Sequence, residues 1–161
     1  MGKIAEIGIR CMQDEAQAIL DLAPTLSEDF ERAVGLMLGC KGRVILTGVG
    51  KSGHIASKIA ATLASTGTPS FYVNALDAFH GDLGMFCPGD IAIAISYSGN
   101  TFELTRLLPS LLERNIPIIA MTANAFSEDI QRCLDVGMDA HIAKTVDFEK
   151  LKEVMQNFNA L

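Results

Sequence analysis

"RVILTGVGKSGHIASKIAATLAST", residues 43–66, takes an apolar run through a glycine-rich turn into a helical pattern. Its first part, "RVILTG", shows no polar alternation, which is the pattern of a strand buried on both faces. The turn "GVGKSGH", residues 48–54, gathers three glycines, a lysine, a serine and a histidine. Glycine lets a backbone approach a ligand closely, and the helix that follows offers free N–H groups to an anion. The stretch reads as a strand–turn–helix unit with a phosphate seat at its turn.

The alternation continues along the chain. "PSFYVN" (69–74), "DIAIAIS" (90–96), "IPIIAMT" (116–122) and "AHIAK" (140–144) read as four further strands. Between and after them, "NTFELTRLLPSLLER" (100–114), "SEDIQRCLDVG" (127–137) and "DFEKLKEVMQNF" (147–158) read as helices; Pro109 is expected to kink or break the first. Strands of this kind alternating with helices imply a parallel sheet. Two helices are expected ahead of the sheet. The first places Ile7, Met12, Ala16, Ile19 and Leu20 roughly along one face, and the second has Ser27 as N-cap and ends at Gly39 and Gly42.

Bulk properties narrow the function. A chain of 161 residues is expected to form a single α/β domain over residues 1–161. Its 49% hydrophobic and 20% charged content is that of a soluble globular protein. A net charge of −6 argues against nucleic acid or an anionic membrane as partner. The start lacks a signal-peptide core and no apolar run reaches spanning length, so a cytoplasmic location is expected. Cys11, Cys40, Cys87 and Cys133 are scattered without CxxC spacing. They read as reduced, mostly buried thiols, with no metal site and no cofactor expected.

In open parallel sheets ligands bind beyond the C-terminal ends of the strands. Three loops there carry polar groups: "TGVGKSGH", "NALDAFHGDLGM" (74–85) and "SYSGNTFE" (96–103). The first formally matches G-x-G-x-x-G through Gly48, Gly50 and Gly53, but Asn74 stands where a dinucleotide site wants an acid. The third gathers Ser96, Ser98 and Thr101 around Gly99, just before a helix. Hydroxyls with free N–H groups can hold a phosphate without a cationic cage. Two such loops favour a small phosphorylated ligand over a dinucleotide.

Residues 48–85 followed by "IAISYSGNTFE" (93–103) resemble the sugar isomerase (SIS) family, and more narrowly the SIS domain of arabinose-5-phosphate isomerases. "GKSGH" and "HGDLGM" are specific to that subgroup, and the likeness covers about residues 1–120. The resemblance implies a five-stranded parallel sheet in the flavodoxin-like order 2-1-3-4-5 within a three-layer sandwich. It implies that Ser52, Ser96, Ser98 and Thr101, with the Gly50 backbone, hold a sugar phosphate, arabinose 5-phosphate or ribulose 5-phosphate. Glu103 becomes the candidate base, Lys51 a stabiliser of negative charge and His80 a proton shuttle or orienting group. His54 reads as structural.

From about Ile116 to Asn124 onward the chain resembles instead the last third of a response-regulator receiver domain, through "MTAN", "GMDAHIAK" and "DFEKLKEV". Residues 121–161 are thus expected to be a receiver-like part of a natural or engineered chimera. Phosphorelay is not expected, because Ser96 stands at the phosphoacceptor position and "TGVG" replaces the acidic pair. Thr122 and Lys144 match receiver residues but have no aspartyl phosphate to contact. Arabinose-5-phosphate isomerases continue with a further glutamate and histidine and often complete their sites across a subunit interface. The expectation is therefore sugar-phosphate binding with weak or no isomerase activity. An active arabinose-5-phosphate isomerase and a ligand-free scaffold are the alternatives, and a homo-oligomer is an option.

Overall fold

The computed structural model describes residues 2–26, 28–123, 131 and 133–143. The expected N-cap at Ser27, residues 127–130 and 132 of the helix over 127–137, and the helix over 147–158 lie outside the described residues. The described residues divide between two compact units, residues 2–26 and residues 28–143.

The described residues of the first unit form helix α1 (Lys3–Leu22) and a 3-10 turn (Ala23–Thr25) with Pro24 as its second residue. Proline suits that position because its missing N–H is one that a helix start leaves unpaired. No residue of α1 is buried, and Met12, Ile19 and Leu20 of its expected apolar face are exposed.

The second unit is built on strands β1 (Val44–Gly48), β2 (Ser70–Asn74), β3 (Ile91–Ile95), β4 (Ile118–Thr122) and β5 (Ala140–Ala143). They pair in parallel, as the sequence pattern implies, in the order β2-β1-β3-β4-β5 that the family resemblance implies. β1 and β3 are buried along their whole length, which explains their uninterrupted apolar runs. One face of the sheet presents Ile45, Val73, Ala92, Ala94 and Ile118. They meet α4 (Ala75–Ala78) and the Leu104, Leu107, Leu108, Leu111 stripe of α5 (Phe102–Glu113). The other presents Val44, Leu46, Ile93, Ile95 and Ile119 to Ala33 of α2 (Glu28–Gly39) and to Ala56 and Ala60 of α3 (Gly50–Ser65). Each fully buried leucine or isoleucine contributes about 1.5–3 kcal/mol relative to an exposed one. The stripe on α5 explains why Pro109 lies inside the helix rather than ending it. Four buried leucines offset the roughly 3 kcal/mol that an interior proline costs.

At the amino edge of the sheet, Arg43 before β1 and Asp90 before β3 lock the two central strands together. Asp90, 2% exposed, accepts from the backbone N–H of Arg43 (2.8 Å), from Arg43 Nε (3.3 Å) and Nη2 (2.9 Å), and from the N–H of Cys87 (2.9 Å). Burial alone would push its carboxyl up. The side-chain hydrogen bond from Arg43, the two backbone N–H groups and the guanidinium charge outweigh that and hold it below the usual carboxylate range. Arg43 also donates to the Met85 carbonyl at 2.9 Å and lies over the Phe71 ring.

The expectation of mostly buried cysteines is corrected by the structure. All four are free, yet only Cys133 is buried. Cys11 sits on α1, a helix with no buried residue, and Cys87 in the surface turn ahead of β3, where Asp90 binds its backbone. Among the described residues, no helix is long and apolar enough to cross a membrane.

Candidate functional site

Because all five strands run the same way, the loops after β1, β2 and β3 emerge at one edge, and the central position of β1 brings them side by side. The approach is close: a Cβ on Gly48, the last residue of β1, would lie 3.0 Å from the Ile95 carbonyl at the end of β3. Any side chain there would need the neighbouring strand to give by a few tenths of an ångström.

In the loop after β1, Val49 is the N-cap of α3 and supplies no side-chain cap. Gly50 has φ +55°, a backbone conformation that favours glycine. The first helical hydrogen bond runs from the Gly53 N–H to the Val49 carbonyl at 3.2 Å. The amides of Gly50, Lys51 and Ser52 precede that bond, as the first N–H groups of any helix do. Lys51 is exposed and Ser52 half-buried in this first turn.

In the loop after β3, the hydroxyls bind one another. Ser96 Oγ lies 2.7 Å from Thr101 Oγ1 and accepts from the Gly99 N–H at 3.0 Å. Ser98 Oγ accepts from the Asn100 N–H at 3.2 Å. Ser96 is buried, whereas Ser98 is exposed and Thr101 half-buried. Ser96 thus braces the loop from inside through Thr101, and Ser98 lies on its exposed side. Thr101 is the N-cap of α5 and makes no side-chain cap, and Glu103 follows in the first turn, half-buried. A cavity of about 480 Å³ opens beside this loop, lined among others by Ser98, Gly99, Asn100 and Cys133.

The loop after β2 contains two short elements that the sequence pattern did not indicate: α4, and a 3-10 turn over Asp82–Met85. Asn74 caps α4 by accepting from the Leu76 N–H at 2.9 Å, so the position where a dinucleotide site wants an acid serves a turn. His80 is exposed just after α4, its backbone N–H bound to the Asp77 carbonyl at 2.8 Å. His54 is exposed on α3.

The sequence-derived candidates therefore fall into three neighbouring groups. Gly50, Lys51 and Ser52 lie on the first turn of α3. Ser96, Ser98, Thr101 and Glu103 lie on the adjacent loop and helix start. His80 lies on the flanking loop. Three features escaped sequence reasoning because their partners are far apart in the chain. The Tyr72 hydroxyl reaches Gly48. Arg106 of α5 lies over the ring of Phe79 (4.5 Å). Thr122, hydrogen-bonded to His141 Nε2 at 2.9 Å, packs against Gly99.

Comparison with known proteins agrees with this arrangement. The chain matches the SIS domain family over residues 37–154, a span that includes the junction expected near Ile116 to Asn124. It is 46% identical over 133 residues to the arabinose 5-phosphate isomerase KpsF of Escherichia coli O6:H1 (strain CFT073), covering 82% of this chain and 40% of that protein. With the arabinose 5-phosphate isomerase KdsD of Pseudomonas aeruginosa it shares 45% identity over 130 residues, 81% of this chain and 40% of the relative. The chain thus spans about two-fifths of the curated relatives it matches. Among solved structures, an E. coli CFT073 protein in complex with A5P superposes with a TM-score of 0.74 at 37% identity, over 89% of this chain and 74% of that one. With the sheet order, the loop positions and these matches in agreement, the chain belongs to the SIS domain family.

Proposed function

We propose that this chain is a sugar-phosphate isomerase domain that interconverts arabinose 5-phosphate and ribulose 5-phosphate. The observation that carries the proposal is the pair of helix starts at one sheet edge, α3 and α5, neither capped by its own side chain. Both leave first-turn N–H groups for an anion, and hydroxyls of Ser52, Ser98 and Thr101 stand beside them. Relatives at 45–46% identity that are themselves arabinose 5-phosphate isomerases support the choice of sugar.

With the phosphate held there, the open-chain sugar reaches the groups that do the chemistry. Glu103 takes the proton from C2 of the aldose, and electron density moves through the C1–C2 bond onto the aldehyde oxygen O1. The resulting enediolate is stabilised by the Lys51 ammonium. His80 carries the hydroxyl proton from O2 to O1, and Glu103 returns its proton to C1, completing the ketose. No proton or electron is gained or lost overall, so no cofactor is needed.

The receiver-like likeness of residues 121–161 adds no activity to this proposal, since Ser96 occupies the phosphoacceptor position. Incubating the protein with arabinose 5-phosphate and following the sugar by NMR tests the proposal. Ribulose 5-phosphate should appear. Amide shifts confined to 48–54 and 96–103 with an unchanged sugar would mean binding without turnover, and no shifts at all would remove the sugar-phosphate reading.

A further inference from the structure

The usual device for fixing the start of a helix is a Ser, Thr, Asp or Asn at the N-cap, whose side chain accepts from a first-turn N–H. At α3 that device would occupy the very groups that a phosphate needs. The N-cap is Val49, which has no acceptor to offer. Something else has to set the direction of the turn.

The structure supplies it from β2. The Tyr72 hydroxyl donates to the carbonyl of Gly48 at 2.8 Å, gripping the turn by its acceptor side. The tyrosine ring packs among the α3-facing side chains of the sheet. Gly53 makes room for this contact. A Cβ there would lie 2.4 Å from the Tyr72 hydroxyl oxygen, 3.2 Å from its Cζ and 3.2 Å from the Gly48 carbonyl oxygen. Gly48, Gly53 and Tyr72 therefore form one interlocked unit, with the Tyr72–Gly48 bond running past Gly53.

The geometry points to Tyr72 as a positioning residue of the phosphate seat: by holding the Gly48 carbonyl it aims the N–H groups of Gly50, Lys51 and Ser52 at an anion while leaving all of them open. This role deepens the isomerase reading above and rests on it for the identity of the sugar. Burial, and then the negative charge of Asp77, push the Tyr72 hydroxyl above the usual tyrosine range, so it remains a donor at neutral pH.

The test compares the wild-type chain with Tyr72→Phe, Gly53→Ala and the double variant, by arabinose 5-phosphate titration of 15N-labelled protein, thermal melting and, where turnover is present, steady-state kinetics. Tyr72→Phe should weaken binding about fivefold, the worth of one neutral hydrogen bond. It should shift the amides of residues 50–53 in the free protein, and the loss should fall on KM rather than kcat. Gly53→Ala expels the hydroxyl and should cost a similar factor. The double variant should bind no more weakly than either single one, because both changes remove the same contact. Wild-type affinity in a folded Tyr72→Phe protein, or losses that multiply in the double variant, would overturn the role. If Gly53→Ala does not fold, Tyr72→Phe decides alone. If the wild type ignores arabinose 5-phosphate, the sugar reading fails separately. Inorganic phosphate then serves as probe, and an unchanged phosphate affinity in Tyr72→Phe overturns the positioning role on its own.

Discussion

The hydroxyls of Ser96 and Thr101 lie 2.7 Å apart across the loop after β3, and the same Ser96 oxygen accepts the Gly99 N–H at 3.0 Å. One buried side chain thus fastens both ends of a tight turn whose outer face carries Ser98. Ser96→Ala is expected to remove about 1–3 kcal/mol of this order and to weaken arabinose 5-phosphate binding by roughly ten- to hundredfold. Ser98→Ala should leave the melting temperature unchanged and cost about fivefold in affinity, from one lost ligand contact. Calorimetric titration of the two variants beside their melting curves separates bracing from contact. Equal effects on both measurements would contradict the division.

Glu103 and Lys51 are expected to fail in different ways. Glu103→Gln keeps size and polarity but removes the base, so kcat should fall by about 10²–10⁴ while affinity stays within a few-fold. Lys51→Met should weaken binding and flatten its dependence on salt, because an exposed charge on an anion is screened. Kinetics at two ionic strengths distinguish them.

Asp90→Ala leaves the part-buried N–H groups of Arg43 and Cys87 without their acceptor and should cost about 1–3 kcal/mol in urea unfolding. The pH dependence has a definite sign. The folded carboxyl titrates below its unfolded counterpart, so its stabilisation is full above about pH 4 and fades as the pH falls through the depressed value. The stability gap between wild type and Asp90→Asn should therefore be constant from neutral pH down to about 4 and narrow below it. A gap that stays constant through pH 3 would contradict the assignment.

Thr47 poses the opposite case. Its hydroxyl is buried in β1 and has no hydrogen-bond partner among the described residues, between Val73 and Ala94 on the neighbouring strands. Thr47→Val replaces it with a methyl of similar size and should stabilise the protein by about 1 kcal/mol, read from the urea midpoint. A loss of stability would reveal a polar partner.

The sheet was legible because its central strands are buried on both faces, and a run such as Ile91–Ile95 carries no polar alternation. The first and third loops stood out for a chemical reason, since Gly50, Ser52, Ser98 and Thr101 are residue types that suit an anion next to a helix start. Local pattern could not reveal contacts made at long sequence separation. Tyr72 lies 24 positions from the carbonyl it binds, and Arg43 lies 47 from Asp90. Nor could it separate Ser96 from Ser98, because two serines two positions apart look alike until one is seen to point inward. The cysteines were misjudged for the same reason: residue type reports an average environment, and Cys11 and Cys87 sit in local exceptions.

The Arg43–Asp90 lock and the loops proposed to seat the phosphate occupy opposite edges of one sheet, separated by the length of β1 and β3. A parallel strand passes its chain from one edge to the other, so the edge that secures the fold and the edge that meets the ligand draw on different residues. The ligand edge is consequently free to vary. Substitutions that re-aim its loops toward another phosphorylated sugar meet little opposition from the clamp beneath. A library confined to residues 76–77, 80–84 and 97–100 should yield mostly folded proteins, whereas the same number of changes across 40–43 and 85–90 should not.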